Sequence, residues 1–473
     1  MISRARLRAT AALIFERALD AAEPGRLVRS QIRIRDPHLE VAGVRHRLDR
    51  GKIALVAVGK AAVAMARAAE ERLGPRIATG LAVTTGPAAL DHAFVRATGH
   101  PLPDERGLAA AAEVESLARS LGRDDLLLVL LSGGASALLP APAEGVTLVD
   151  KAATTALLLR AGATIQELNT VRKHLSRLKG GGLARVAAPA RVVALVLSDV
   201  VGDDLATIGS GLTVADPTTF AQALAVLERR GLVGDVPPAV RERLARGTRG
   251  DVSETPKPGD ALFRRVTTRI VGSGRVSLIA AAREARRRGL RPFVLTTRLE
   301  GEAREAARVL VAILRERVEA AAPASAPVCL LASGETTVTV RGRGEGGRNQ
   351  ELAVAAAQAL VNFPVPAVVA SLATDGVDGV SDGAGGIVDD TTAARGERLG
   401  LAPPGVFLDS SDTRNYLGPL GDLILTGPTG TNVADIVILI ATPPARKGYN
   451  VRDLPGGHLE PGSRRRPRRA RKR

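Results

Sequence analysis

The chain is poor in aromatic residues: it has no tryptophan, and Phe, Tyr and Trp together make up 2% of its 473 residues. Alanine and leucine must therefore supply most of the core packing. Hydrophobic residues account for 45% of the chain, an ordinary share for a globular protein. A chain of this length exceeds what one hydrophobic core usually organises, so we expect two or three domains.

Cysteine is nearly absent as well. The single residue, Cys329, excludes a disulfide within the chain and indicates a reducing compartment. It lies in the apolar run 328–331, which favours a buried strand thiol over a nucleophile. No apolar run approaches the length of a membrane span, and the first residues predict an amphipathic helix in preference to a transit peptide. We therefore expect a cytoplasmic protein with no membrane attachment.

Acidic residues are outnumbered, and the net charge of +17 is unevenly spread. Residues 464–473 contain eight basic residues and no acidic ones, which leaves 17 − 8 = +9 for the rest. We predict that residues 443–473 form a disordered basic tail. Such a tail can bind RNA or anionic lipid non-specifically, or it can be dispensable. We favour the second interpretation and expect no specific nucleic-acid partner.

Several well-known catalytic and binding motifs are missing. The six histidines are scattered and form no Cys/His cluster of the kind that binds zinc. Ser132-Gly-Gly does not match the G-x-S-x-G motif of serine hydrolases. The loop 59–64 lacks the glycine spacing of a dinucleotide-binding fingerprint, and there is no Walker A sequence. The sequence therefore gives little support to any of these chemistries.

What the chain does contain is a repeated pattern of apolar runs that end in glycine-rich or polar loops. In the first half, 52–58 ends in Gly59-Lys60, 125–131 ends in Ser132-Gly133-Gly134, and 191–197 ends in Ser198-Asp199. Helical segments alternate with these runs, which indicates an α/β protein with a mainly parallel sheet. Ligands bind at the carboxyl ends of such strands, so we expect these loops to meet at a site.

A segment rich in proline, glycine and charge, 231–258, divides the chain. We predict an N-terminal domain over 1–235, with a Rossmann-like, mainly parallel sheet sandwiched by helices. A smaller α/β domain follows over 260–442.

The second half contains a glycine-rich loop. Residues 331–357 predict a β-hairpin, then this loop with Gly346 and Gly347, and then an alanine-rich helix. Amide groups at a helix N-terminus, freed of side chains by glycine, can form an anion site. Arg348 stands at the edge of that loop, where its guanidinium could meet a phosphate or carboxylate. The alternative is a surface turn with a solvated arginine; we favour the anion site.

One predicted helix carries a polar face without an acidic residue. It begins at the capping box Thr164–Glu167, and Asn169, Arg172 and Lys173 fall on one side of it. This face is either solvated or bound to an anionic ligand.

Carboxylates occupy other loops that follow predicted strands. They include Asp199 in the first half, and Asp375 and Asp378 in the loop 374–386. Glycine loops, cations and carboxylates together are what phosphoryl transfer requires. The loop 374–386 could instead be a solvated or calcium-like acidic turn, although its spacing does not fit an EF-hand.

Long motifs resemble one known family. They are GHPLPDERG (99–107), LLSGGASALL (130–139), LNTVRKHLSRLKGG (168–181), SGETTVTVRGRGEGGRNQELA (333–353), ATDGVDGVSDGAGGIVD (373–389) and GDLILTGPTGTNVAD (421–435). In sequence and order they resemble the class II glycerate kinases, the glycerate 2-kinases that end in a MOFRL domain (here about 328–438). The resemblance implies ATP- and Mg²⁺-dependent phosphorylation of D-glycerate to 2-phosphoglycerate, in a cleft between two α/β domains.

The resemblance also implies roles for individual residues. Lys60 and Arg348 match family residues implicated in the active site and are expected to neutralise the transferring phosphoryl group. The remaining assignments are hypotheses about role: Ser132, Gly133, Gly134, Ser136, Gly346 and Gly347 for ATP; Asn169, Arg172 and Lys173 for substrate; Asp199 as general base; and Asp375 and Asp378 for Mg²⁺.

Two questions stay open at the level of sequence. Some family members carry the name hydroxypyruvate reductase, an activity that needs a nicotinamide site for which the fingerprint is missing. The residues do not determine which glycerate hydroxyl is phosphorylated, and a homodimer is a further expectation.

Overall fold

The structure, a computed structural model, describes residues 2–322 and 325–444. These residues form two six-stranded sheets flanked by helices and a small three-stranded sheet, so the predicted α/β class with two α/β units is confirmed. None of the helices described is both long enough and apolar enough to cross a membrane. The predicted tail, 443–473, lies outside the described residues from 445 onward.

The strands are β1 (Ile32–Arg35), β2 (His38–Val41), β3 (Val44–Arg47), β4 (Ile53–Val58), β5 (Ile77–Thr84), β6 (Phe94–Ala97), β7 (Leu126–Leu131), β8 (Arg191–Leu197), β9 (Val266–Gly272), β10 (Arg291–Leu299), β11 (Val328–Gly334), β12 (Ala367–Ala373), β13 (Gly385–Asp389), β14 (Leu423–Ile424) and β15 (Asp435–Ala441).

The helices are α1 (Arg4–Ala21), α2 (Pro24–Gln31), α3 (Ala62–Leu73), α4 (Glu105–Arg119), α5 (Ala135–Leu138), α6 (Leu148–Arg160), α7 (Ile165–His174), α8 (Gly182–Ala187), α9 (Phe220–Arg229), α10 (Pro238–Arg249), α11 (Gly274–Arg287), α12 (Ala303–Glu319), α13 (Arg348–Ala359), α14 (Thr392–Arg398), α15 (Pro404–Asp409) and α16 (Thr413–Leu417).

The first sheet is parallel throughout, with the strand order β6-β5-β4-β7-β8-β9. Every residue of β4 and β7 is buried, as expected for strands covered by helices on both faces. Counted along the chain from β4 to β9, the order is 3-2-1-4-5-6, that of a doubly wound Rossmann sheet. The order reverses between β4 and β7, and a ligand crevice opens beyond their carboxyl ends in sheets of this kind.

The second sheet is mixed, with the order β10-β11-β15-β12-β13-β14. Only β10 and β11 run parallel; β15 lies antiparallel between β11 and β12. Asp435, the first residue of β15, is therefore in register with Gly334 and Ala373, the last residues of those two strands. The beginning of β15 thus lies at the same edge as the carboxyl ends of its neighbours.

Two elements belong to a different sheet from the one that their position in the chain suggests. Helix α1 packs on the second sheet, with Leu7 and Ile14 buried in one cluster with residues of β11 and β15. Strand β9 pairs with β8 in the first sheet. We call residues 24–272 the first lobe, and residues 4–21 with 274–441 the second lobe. The predicted boundaries, 1–235 and 260–442, differ from this division because an apolar pattern shows that an element is buried, not which sheet buries it.

Local predictions had mixed outcomes. The capping box of α7 is present, with Thr164 and Glu167 each accepting from the other's backbone amide. Cys329 is fully buried in β11, and burial raises its pKa to about 12, so the buried thiol is confirmed.

The predicted hairpin after β11 was wrong: residues 335–347 form no strand, apart from one bridge between Thr337 and Glu302. Their alternating pattern does not mark a buried face, since Val340 is 71% exposed.

Candidate active site

A cleft of about 1100 Å³ separates the carboxyl edges of the two sheets and is lined by residues of both lobes. Pockets for drug-sized ligands usually measure roughly 300–1,000 Å³, so this cleft has room for a nucleotide and a small acid together. The predicted site residues that line it are Lys60, Gly133, Gly134, Ser136, Asn169, Arg172, Asp199, Gly346, Gly347, Arg348 and Asp375. Ser132, Lys173 and Asp378 do not line it.

On the first-lobe side, the loops after β4 and β7 meet at the point where the strand order reverses. The amide of Lys60 donates to the carbonyl of Gly133 over 2.9 Å, which ties the two loops together. Ser132 is 2% exposed, and its Oγ accepts from the amide of Ala61 at 3.0 Å. The structure does not support its predicted role in binding phosphate, because this hydroxyl holds the Lys60 loop in place and does not line the cleft.

Asp199, after β8, reaches into the same corner. A Cβ on Gly133 would lie 2.0 Å from Asp199 Oδ2, so only glycine permits this approach. Burial raises the pKa of Asp199, and the charge of Lys60 opposes that rise. A carboxylate with a raised pKa beside a cation is suited to accept a proton from a hydroxyl.

The polar face of α7 lines the other end of the cleft. Asn169 Oδ1 accepts from Ser210 Oγ at 3.0 Å, and Ser210 Oγ lies 2.8 Å from Ser136 Oγ. The Nδ2 atom of Asn169 is buried without a hydrogen-bond partner. Burial lowers the pKa of Arg172, and across residues 2–322 and 325–444 its guanidinium makes no ion pair. Buried donors are normally satisfied, so Asn169 Nδ2 marks a place for an acceptor, and the half-buried Arg172 beside it on the cleft wall adds a positive charge.

Lys173, on the same helix, is not part of this site. Its side chain is 6% exposed, and its Nζ lies 3.4 Å from Asp216 Oδ1. The structure does not support the predicted substrate contact, because an acidic partner, distant in sequence, pairs with this lysine within the core.

Two buried lysines that the sequence interpretation missed lie behind the α5 turn. Lys179 Nζ donates to the carbonyl of Ser136 over 3.0 Å, and Lys151 Nζ donates to the carbonyl of Pro140. Burial, followed by the charge of Arg172, lowers the pKa of Lys179 to about 7. The two amino groups thus bind backbone carbonyls of residues 136–140, the segment that places Ser136 on the cleft wall.

Lys179 should make stability depend on pH. Its pKa is about 7 in the folded chain against an ordinary value of 10.5, so between these values the folded chain binds fewer protons than the unfolded one. Stability should therefore rise with pH across this window, by at most ~1.4 kcal/mol per pH unit from this group. Thermal unfolding from pH 7 to 10 should show a smaller rise for Lys179→Met than for wild type. The exposed Lys52→Met is the control, and equal slopes in all three proteins would contradict the prediction.

The glycine-rich loop of the second lobe is tightly packed. A Cβ on Gly346 would lie 2.2 Å from Thr413 Oγ1, and one on Gly347 would lie 2.4 Å from the backbone of Asp378. The glycines thus permit close contact between segments, as well as lining the cleft.

Asp378 occupies the N-terminus of α13, where an external anion was predicted. Its Oδ1 accepts from the amide of Asn349 at 3.0 Å and its Oδ2 from that of Gln350 at 2.8 Å. The residue is 1% exposed. The structure therefore supports neither an anion site at these two amides nor the Mg²⁺ role of Asp378, because the chain supplies its own carboxylate to those amides.

Arg348 reaches the cleft between two acidic residues. Asp435 binds its Nε and Nη2, and Glu335 Oε1 lies 2.9 Å from its Nη1. Asp375 also lines this side of the cleft. The sequence interpretation missed Glu335, although it directly follows β11 and the position alone could have marked it.

Metal binding has limited support from geometry alone. Within the described ranges, no group of three or more His, Cys, Asp or Glu residues is arranged to hold a metal ion. Mg²⁺ commonly uses one or two carboxylates together with substrate phosphates, and keeps several waters. Asp375, which lines the cleft, fits that smaller requirement.

Comparison with known proteins agrees with this arrangement. Residues 10–245 match a domain of unknown function (DUF4147), and residues 328–435 match the MOFRL family. A glycerate 2-kinase of Pyrococcus horikoshii is 42% identical over 90% of this chain and 95% of its own length. A protein of Agrobacterium vitis provisionally named hydroxypyruvate reductase is 41% identical over 85% of this chain and 90% of its own.

A solved structure matches the whole arrangement of both lobes. The crystal structure of glycerate kinase from Thermotoga maritima superposes with a TM-score of 0.81, at 39% identity, covering 92% of this chain and 99% of that one. Together with the sequence relatives, this likeness spans both sheets and the cleft between them. The chain therefore belongs to the glycerate kinase family.

Proposed function

We propose that the protein transfers the terminal phosphoryl group of ATP to the 2-hydroxyl of D-glycerate, giving 2-phosphoglycerate and ADP. The observation that carries this proposal is that Lys60 and Arg348, from different lobes, line one cleft. Phosphoryl transfer depends on positioning and on stabilising negative charge, which two cations on opposite walls supply. The choice of the 2-hydroxyl rests on the likeness to the Pyrococcus glycerate 2-kinase.

The nucleotide's phosphates would be held by the first-lobe loop after β7. The amides of Gly133 and Gly134 and the hydroxyl of Ser136 are the donors there, and Gly346 and Gly347 close the opposite wall. Asp375 would hold Mg²⁺ together with the nucleotide's phosphates, and the ion when bound supplies charge neutralisation for those phosphates.

Glycerate would bind at the α7 end of the cleft. Arg172 and Asn169 Nδ2 have no partners within the described part of the chain, and a carboxylate has the charge and the acceptors to satisfy both. Asp199 would accept the proton of the attacking hydroxyl, because burial raises its pKa towards neutrality.

Arg172→Met should weaken acceptor binding without harming the fold. Loss of one hydrogen bond to a charged group costs about 1.5–3 kcal/mol, so KM for D-glycerate should rise roughly 10- to 100-fold. Thermal stability should stay near that of wild type, since Arg172 is half-buried and within the described residues makes no ion pair that the substitution would break. Steady-state kinetics with each substrate varied would measure this. A rise confined to KM for ATP would assign Arg172 to a phosphate instead, and unchanged constants for both substrates would contradict the proposal.

One assay tests the function itself. With ATP, Mg²⁺ and D-glycerate, the product should be 2-phosphoglycerate, which enolase converts directly without a mutase; 3-phosphoglycerate would require one. A parallel sample with NADH and hydroxypyruvate tests the reductase named for the Agrobacterium relative. NADH oxidation without phosphorylation of glycerate would overturn the kinase proposal.

The cellular setting is part of the same proposal. A single, fully buried cysteine supports a reducing compartment, and we propose the cytoplasm. A homodimer stays a prediction from the sequence, and sedimentation velocity would test it.

A further inference from the structure

Arg348 is held by two carboxylates that differ sharply in their surroundings. Asp435 accepts from Nε over 2.5 Å and from Nη2 over 3.0 Å, a bidentate pair. Its side chain is 6% exposed, whereas that of Glu335, which contacts Nη1, is 48% exposed. Glu335 lines the cleft and Asp435 does not. One partner is therefore built into the core, and the other lies where a ligand can replace it.

Asp435 is itself firmly placed. It begins β15, the strand inserted antiparallel between β11 and β12, and is paired across the sheet with Gly334 and Ala373. Burial raises the pKa of Asp435, and hydrogen bonding to Arg348 opposes that rise. A buried carboxylate on a central strand is a rigid anchor for the flat face of a guanidinium.

The backbone of Arg348 is fixed by a separate interaction. Arg348 is the first residue of α13, and Asp378 caps the two residues that follow it through their amides. With the backbone held at the helix end and two guanidinium nitrogens held by Asp435, Nη1 is the one guanidinium nitrogen that Asp435 does not bind. That group faces Glu335 at the wall of the cleft.

We propose that Asp435 is a positioning residue for phosphoryl transfer: it fixes the guanidinium of Arg348 so that Nη1 can exchange Glu335 for the transferring phosphoryl group. This inference rests on the role proposed above for Arg348. Asp435 touches no substrate; it acts through the arginine alone. A half-exposed pair such as Arg348–Glu335 is readily displaced, while the buried bidentate pair persists through the exchange.

The test is Asp435→Asn, which keeps the size of the side chain and removes its charge. The kcat for D-glycerate phosphorylation should fall roughly 10- to 100-fold, with KM for D-glycerate little changed. Asp422→Asn is the matched control: Asp422 is fully buried in the same lobe and accepts from Arg395 and Arg8 at 2.6 Å each, away from the cleft. Both variants should lose thermal stability, and only Asp435→Asn should lose kcat.

A double-mutant cycle separates positioning from general damage. Arg348→Lys removes the two guanidinium nitrogens that Asp435 binds. In that background Asp435→Asn should therefore cause a much smaller further loss of kcat than it does in wild type. Three outcomes would each overturn the inference. Asp435→Asn could lose as much kcat in the Arg348→Lys background as in wild type, Asp435→Asn and Asp422→Asn could lose equal kcat, or Asp435→Asn could keep a wild-type kcat. A wild-type kcat for Arg348→Lys and Arg348→Ala would instead defeat the proposed role of Arg348 itself.

Discussion

Lys60→Ala and Arg348→Ala are each expected to reduce kcat at least 10³-fold while leaving the fold intact. Lys60 follows β4 at the point where the strand order of the first sheet reverses, and within the described ranges its ammonium group makes no ion pair. Removing such a charge forfeits stabilisation of the phosphoryl oxygens in the transition state; an arginine supplied to a phosphoryl-transfer site is typically worth 10³–10⁵ in kcat. Quenched-flow or coupled assays of both variants would measure the loss.

Lys52→Ala is the matched control for Lys60→Ala. Lys52 precedes the same strand, β4, at the opposite edge of the sheet, and its side chain is exposed. We expect wild-type kinetics for this variant, and thermal unfolding near that of wild type for Lys52→Ala and Lys60→Ala. Arg348→Ala should unfold at a lower temperature, because it leaves the buried carboxylate of Asp435 without its cation. If Lys60→Ala turned over at the wild-type rate, the catalytic scheme proposed for this cleft would fail.

Asp199→Asn should lower kcat by roughly 10²- to 10⁴-fold, the usual contribution of a positioned general base. Burial raises the pKa of Asp199 above its ordinary value of 3.8, and a base acts only when deprotonated. Wild-type kcat should therefore fall as the pH drops through that raised pKa, and the residual activity of Asp199→Asn should lack this acidic limb. A pH–rate profile of both proteins measures the difference.

Stability provides an independent check on the same residue. Because the folded-state pKa is raised, the contribution of Asp199 to stability is largest below pH 3.8 and is lost as the pH rises through the raised value. At neutral pH, Asp199→Asn should therefore be as stable as wild type or more stable. Asp203→Asn, in the same loop but outside the cleft lining, should retain full activity. An unchanged acidic limb in Asp199→Asn would reject Asp199 as the base.

Much of the fold could be predicted from the sequence because buried parallel strands are continuous runs of apolar residues. The apolar runs predicted at 52–58, 125–131 and 191–197 correspond, to within one residue at each end, to β4, β7 and β8. Their glycine-rich or polar ends were correctly expected at one site, since the carboxyl ends of strands meet at one edge. The family prediction was confirmed for the same reason: long motifs cluster in those loops, which carry the residues that line the cleft.

Two site predictions that the structure does not support concern partners distant in sequence. Lys173 was expected to bind an anion, but the fold places Asp216 beside it. The amides at the start of α13 were expected to bind an external anion, but Asp378, 29 residues from Asn349, binds them. In both cases the sequence identified the hydrogen-bond donors correctly. The acceptor, however, is an aspartate of the chain itself and not an external anion.

The sequence by itself determined the main buried strands, the family and a core set of the residues that line the cleft, because these depend on local hydrophobic pattern and on contiguous motifs. Only the tertiary structure decided which charges are free and which are paired. Asp435, 87 residues from Arg348, illustrates the reason. The apolar pattern of a strand does not show in which direction the strand runs. Because β15 runs antiparallel to its neighbours, its first residue lies at the cleft edge beside Arg348.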